Sequence, residues 1–537
     1  MGKNRRRGRA QIGREGRSWV PRRPGLLFGV VSAVWIGVLY HGVLGAPFLY
    51  DDLDQVVNNP ALESWHAVWI HFVLRPTILG SGLLGHGGST YRPAFWIVLA
   101  LERHVFGSGP GWFHFTSLLL HWTNGVLLFV LLRQLRMRLP FAALATLIWL
   151  AMPVNSEAVA WISGQLYPLS TAFLLLALLL ALGYVRSEGW GRLAAFTGAA
   201  LLADLSHEQG VLLVAFLALG YGLLEEDRRP GRWSVLVGLA LLADTLYVAC
   251  RRAVGTRAGT GPHHLWNVGE VFWRYIQLIM LPVRMSVERS TDVPGGAMTG
   301  GAIASWIALI ALIIGVILLH RRAPTLAAGT SVLLVAVLPY CGFVYIYQGM
   351  AERYVYLASI GFALAITAAI AAARRVAPEI AFTCLAIWTG WSAWRLMGRV
   401  EDWQDPIALY GHSLEATPQS MLMNLNYGAA LQTVGRQAEA ESQYRRVISL
   451  VPKDSKAYVD LESLYIEEGR LDEAIAMYKQ ATATNPNDAN AYFDLGVMFQ
   501  QRGQDQEAMA FYKKVLQLKP GDQQTVLYLS KLLGVEQ

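Results

Sequence analysis

Two adjacent carboxylates, Asp51 and Asp52, follow the first long apolar segment, in the run Phe48-Leu49-Tyr50-Asp51-Asp52 that continues to Asn58-Asn59-Pro60. An acid held at a membrane surface can take a proton from a hydroxyl or ligate a divalent cation, and neighbouring acids repel, which raises one pKa. A plain solvated turn is the competing reading, and on position alone the two stand level. Other polar groups fall at the ends of apolar segments: Arg92, Glu157, His207, Glu208, Arg251, Arg252 and the triplet Glu352-Arg353-Tyr354. Ionisable residues near membrane depth are costly and generally face an interior or a water-filled cavity. A lone histidine such as His121 reads more simply as a packed core residue, while for Arg251 and Arg252 a contact to lipid headgroups and a role in the site stand level. Gathered on one side, the set outlines a polar cavity with acids at one end and guanidiniums at the other. Arginine holds phosphate bidentately, and phosphate leaves as a stable anion. Such a cavity suits a hydroxyl attacking a sugar carried on a lipid phosphate, with the carboxylate as base.

The elements that must position these groups are membrane helices. The 537 residues are 54% hydrophobic and 15% charged, whereas soluble domains carry roughly a quarter charged residues. Spans of about 20 apolar residues are expected at 26–44, 112–132, 140–153, 166–185, 192–206, 208–224, 233–250, 302–319, 325–342, 355–373 and 379–397. Residues 1–25 hold nine basic side chains and one acid. This arm reads as a retained cytoplasmic anchor on anionic lipid rather than a nucleic-acid contact. Arginines follow each even-numbered span (Arg133, Arg136 and Arg138; Arg186; Arg228 and Arg229; Arg321 and Arg322; Arg374 and Arg375), which sets the N-terminus in the cytoplasm and residues 401–537 outside it. Two charged apolar stretches, 92–106 and 266–283, are expected to lie at the outer interface. Three cysteines in apolar runs, Cys250, Cys341 and Cys384, exclude a disulfide framework and a cysteine-built zinc site.

The C-terminal part is repetitive. Pro418, Pro452, Pro486 and Pro520 recur every 34 residues, with Gly435, Gly469, Gly503 and Tyr444, Tyr478, Tyr512 in phase. That is the tetratricopeptide (TPR) period, two antiparallel helices per repeat. The expected organisation is a basic arm (1–25), a membrane domain (26–400) whose first outer loop is 45–111, a linker helix (401–420), three repeats (421–522) and a cap (523–537). Such arrays bind peptides in a concave groove, so any chemistry belongs to the membrane part.

Several ordered motifs carry a family resemblance: the acidic run at 48–52 with Asn58-Asn59-Pro60; Tyr91-Arg92-Pro93; Phe113-His114-Phe115 through His121; Pro153-Val154-Asn155-Ser156-Glu157-Ala158-Val159-Ala160; Leu205-Ser206-His207-Glu208-Gln209; Leu281-Pro282 with Ser286; and Ala351-Glu352-Arg353-Tyr354-Val355-Tyr356-Leu357. In this order, with the repeats behind them, they resemble the TMTC-type transmembrane and tetratricopeptide O-mannosyltransferases and their bacterial relatives, members of the GT-C class. The resemblance implies an all-α fold: a polytopic GT-C-type helical domain of about 11 spans followed by a TPR solenoid. It implies a polyprenyl-phosphate sugar as donor, Asp51 or Asp52 as base, and Arg353 as a phosphate contact. Glu352, Tyr354, Arg92, Arg251, Arg252, Glu157, His207 and Glu208 would line the substrate. The sequence departs from the family pattern at Met152 and Asn155, where histidines are common, at Gln165-Leu166-Tyr167 in place of Arg-x-Asp, and at His207 in place of lysine. The expected function is transfer of a hexose, mannose by resemblance, to Ser/Thr hydroxyls of exported proteins. It would take place at a bacterial inner membrane, with the repeats recruiting the acceptor polypeptide. A divalent cation at Asp51 and Asp52 is compatible with the sequence but not indicated by it. The rival readings are a non-catalytic membrane-anchored TPR scaffold and a transporter of a lipid-linked sugar. A transporter should show internal repeats among its spans, and none is visible.

Overall fold

A computed structural model describes residues 24–74, 77–78, 89–224, 227–256, 265–292, 298–343, 349–373, 377–452 and 455–534. The basic arm up to residue 23, Arg374 and Arg375, residues 79–88 of the first outer loop and the last three residues of the cap lie outside the described residues. The fold is all-helical. Its only strands among the described residues are Thr77–Ile78 and Ser89–Thr90, a two-residue antiparallel pair.

Each of the eleven apolar segments contains a helix, from Pro24–Leu39 to Pro378–Asp402. Five helical stretches are long and apolar enough to cross a membrane: Pro110–Gln134, Ile162–Arg186, Pro230–Ala253, Gly300–Leu319 and Pro324–Cys341. Leu139–Leu150 with Pro153–Ala160, bent by 58°, makes a sixth if the two form one span. Pro24–Leu39, Glu208–Leu223 and Ala358–Ala373 are apolar but shorter, so helix length does not by itself account for eleven crossings. The two stretches expected at the interface form Pro93–Phe106 and Val268–Met280, of 14 and 13 residues. At 1.5 Å per residue these reach about 20 Å, short of a ~30 Å hydrocarbon core. Proline begins many of the helices, including Pro93, Pro110, Pro230 and Pro324. There its missing N–H is one of the donors a helix leaves unsatisfied anyway.

Helix pairs 421–433 with 437–450, 455–467 with 471–484, and 489–501 with 505–518 follow the 34-residue period, and Gln523–Leu532 closes the array. Gly435, Gly469 and Gly503 hold φ of +79°, +72° and +70° at the turn inside each pair, a left-handed conformation that glycine adopts without penalty. At the helix crossing, a Cβ on Gly428 or Gly496 would lie 2.6 or 2.4 Å from the ring of Tyr444 or Tyr512. The middle repeat carries Glu462 at this position, buried against Tyr478. Leu409, Tyr410 and Met423, at the head of the array, belong to the same apolar core as the membrane-side helices. The array is therefore packed onto the rest of the molecule.

Candidate active site

The acidic run begins with backbone strain. Tyr50 has φ +60°, a region that non-glycine residues avoid and that tends to mark functional positions. The two acids that follow have different surroundings. Asp52 is 1% exposed. One of its carboxylate oxygens accepts from the Ser163 amide at 2.8 Å and the Ser163 hydroxyl at 2.6 Å, and the other from the Leu49 amide at 3.3 Å. Burial pushes its pKa up to about 7 against these bonds, which pull it down. Asp51 is half-buried, with the Gln55 amide at 3.5 Å as its hydrogen-bonding neighbour. Burial raises it to about 6, while the Arg353 guanidinium, and after it Lys456 of the second repeat, pull it down. Asp52 is thus a brace, and Asp51 keeps a carboxylate available for proton transfer near neutral pH.

Residues 157–163 join the acids to the late arginine. Ser163 holds Asp52, and Trp161 meets the Tyr50 ring edge-on with centroids 5.7 Å apart. The other neighbour of Trp161 is Arg353, whose guanidinium carbon lies 5.1 Å from the Trp161 ring and 5.0 Å from that of Tyr354. Arg353 donates its backbone amide to Glu157 at 2.8 Å and pairs with the same carboxylate through its guanidinium. Both side chains are buried. The early aspartates and Arg353 therefore share one cluster, as the sequence suggested, with Arg353 fixed in place by a buried counter-charge.

A second basic cluster adjoins the first. Arg92 pairs with Glu208 at 2.9 Å, and Arg251 reaches the other oxygen of Glu208 at 3.9 Å. His207 lies 3.6 Å from Glu208; burial, then Arg92, lowers its pKa to about 3, so it is neutral. Tyr167 bridges the clusters, with its ring 4.4 Å from His207 and 6.1 Å from Tyr354. Together the clusters bring three guanidiniums (Arg92, Arg251, Arg353) beside four carboxylates (Asp51, Asp52, Glu157, Glu208), a mixed-charge site whose guanidiniums can pair with phosphate.

Two expected site residues lie elsewhere. Arg252 is exposed at its helix end and makes none of these contacts. Glu352 is fully buried and accepts from the Ser286 amide at 2.6 Å and from Arg289 at 3.3 Å. Residues 352–355 form a tight turn in which neighbouring side chains diverge, so Arg353 enters the cluster and Glu352 turns to the 285–290 loop. Conversely, Trp161, Ser163, Lys456 and Tyr410, whose hydroxyl bonds the Tyr50 backbone, were not singled out from sequence. Trp161 sits directly after the motif ending at Ala160, which was the available clue. His121 is a core residue as expected, buried and 2.8 Å from the Tyr356 hydroxyl. Of the two acids, Asp51 has the more open oxygens, with only the Gln55 amide at 3.5 Å among the described residues. Asp52 already accepts three hydrogen bonds, and no group of three or more His, Cys, Asp or Glu side chains among the described residues could hold a metal.

Models of the TPR repeat and the tetratricopeptide repeat match residues 463–503 and 489–522. A protein O-mannosyl-transferase of Caenorhabditis elegans is 23% identical over 434 residues, covering 77% of this chain and 61% of the relative. The mouse protein O-mannosyl-transferase TMTC4 is 25% identical over 509 residues, covering 78% and 65%. The mouse protein O-mannosyl-transferase TMTC2 is 30% identical over 200 residues, covering 35% and 23%. This chain spans less than two thirds of the length of each. A crystal structure of MamA aligns with 24% of this chain and 77% of its own at 24% identity, with a TM-score of 0.23, too low to carry an argument. Along most of its length the chain is similar to TMTC-type protein O-mannosyl-transferases, at 23–25% identity, and its C-terminal part carries tetratricopeptide repeats.

Proposed function

We propose that this protein is a membrane glycosyltransferase of the GT-C type. It moves a hexose, mannose by analogy with the names of its relatives, from a polyprenyl phosphate to a Ser or Thr hydroxyl of an exported polypeptide. In this reading the membrane is a bacterial inner membrane, the N-terminus is cytoplasmic, and the repeats lie on the outer side and recruit the acceptor. The observation that carries it is the half-buried Asp51 carboxylate held in the field of Arg353, with two further guanidiniums, Arg92 and Arg251, in the cluster that Tyr167 joins to Arg353.

The acceptor oxygen attacks the anomeric carbon of the hexose and gives its proton to Asp51. The bond from that carbon to the phosphate oxygen breaks, and the lipid phosphate leaves with the electron pair, inverting the anomeric centre. Arg353, held by Glu157, and Arg92 with Arg251 stabilise the charge that grows on the phosphate. Asp52 takes no proton from the acceptor; it fixes the loop that presents Asp51.

Comparing intact masses of envelope proteins with and without the gene tests the reading. Hexose-sized increments on Ser/Thr peptides that vanish with the gene support it, and identical masses refute it. The second reading, a non-catalytic scaffold, draws on the buried Asp52–Ser163 and Arg353–Glu157 bonds, which hold the fold together with or without turnover.

A further inference from the structure

The loop Met285–Arg289 is buried throughout, although it belongs to neither the site nor the array. One side of it is gripped by Glu352, which accepts from the Ser286 amide at 2.6 Å and from Arg289. The other side faces the start of the array. The Ser286 hydroxyl lies 2.9 Å from that of Thr417, and the Val287 amide donates to Ser413 at 3.4 Å. Glu288 accepts from the Ser290 amide at 2.6 Å and from the Ser420 hydroxyl. Ser420 is also the cap of the first repeat helix, accepting from the Met423 amide at 3.2 Å. Glu288 thus places a carboxylate at the N-terminus of Met421–Thr433, where the helix dipole favours negative charge. A continuous buried path of hydrogen bonds runs from that cap through Glu288 and Ser286, whose hydroxyl donates to the Glu288 carbonyl at 2.8 Å, to Glu352, the residue before Arg353. Buried polar networks of this kind fix one arrangement, because an alternative packing would leave their groups unpaired.

We infer that Glu288 and Glu352 are positioning residues that lock the repeat array to the Arg353 segment, so that a polypeptide bound by the array reaches Asp51 in a single orientation. The lock follows from the contacts alone; the presentation of an acceptor rests on the proposed glycosyl transfer.

The test uses the full chain with nitroxide labels at Val105→Cys and Lys513→Cys, in a background of Cys250→Ser and Cys384→Ser. Unaltered at the lock, the chain should give one narrow distance distribution by pulsed electron paramagnetic resonance. Ser420→Ala should broaden it at least about twofold, and Ser420→Thr, which keeps the hydroxyl, should restore it. A Ser420→Ala distribution as narrow as the parent's overturns the lock. A second readout separates the lock from the transfer reading. Ser420→Ala should lower kcat for transfer to a Ser/Thr peptide about tenfold, since small misplacements of reacting groups are costly, while release of free hexose from the donor to water persists. Equal loss of both overturns the presentation step. No transfer by the parent chain counts against the glycosyltransferase reading and leaves the distance measurement to decide the lock.

Discussion

Glu462 occupies the helix-crossing position that Gly428 and Gly496 fill in the other repeats, and it is 2% exposed. Burial pushes its carboxyl from the usual 4.5 up to about 8; Tyr478 pulls it down, while Asp494 and Asp460 push it further up. A group whose folded pKa is raised stabilises the fold fully below its unfolded pKa, and that contribution is lost as pH rises through the folded value. The window here runs from pH 4.5 to about 8. Each decade of proton affinity is worth about 1.4 kcal/mol, so at pH 7, where the unfolded chain ionises Glu462 and the folded repeat keeps it largely protonated, the middle repeat is less stable than at low pH by on the order of 3 kcal/mol, and at pH 5 by under about 1. Glu462→Gln keeps the size and a hydrogen bond to Tyr478 but cannot ionise. Hydrogen exchange of amides in residues 455–484 of the full chain, corrected for intrinsic rates, should show the variant better protected than the parent at pH 7. The two should converge at pH 5. A difference independent of pH, or a loss of protection at pH 7, would refute the reasoning.

Transfer should fall as pH drops through about 6, because the base must be deprotonated and Asp51 titrates there. Lys456→Met should move that limb upward by removing a positive charge that holds Asp51 down; a pH–rate profile that does not move contradicts this. Glu157→Gln leaves Arg353 buried without its counter-charge and should cost about 3–5 kcal/mol, seen as a lower unfolding temperature of the detergent-solubilised protein. Gly496→Ala forces a methyl to 2.4 Å from the Tyr512 ring and should destabilise the third repeat by about 1–3 kcal/mol, read by exchange in residues 489–518.

The repeats were legible in the sequence because a 34-residue period leaves its mark on every turn and crossing. The acidic pair and Arg353 were legible as polar groups at the ends of apolar runs. What joins them was not. Ser163 meets Asp52 across 111 residues, and Arg353 meets Glu157 across 196, and neither separation leaves a local pattern. Contiguity misled at Glu352-Arg353-Tyr354, where a tight turn sends Glu352 to the Ser286 loop and Arg353 to the site. The unequal surroundings of Asp51 and Asp52 were hidden for the same reason, since only the folded chain brings the Ser163 donors to one of them.

The most direct test is a purified assay with a synthetic polyprenyl-phosphate hexose and a serine-containing peptide, comparing the parent with Asp51→Asn. Removing a general base should slow transfer by roughly a hundredfold or more, with the unfolding temperature and donor binding retained. Transfer by Asp51→Asn at the parent's rate would contradict the account.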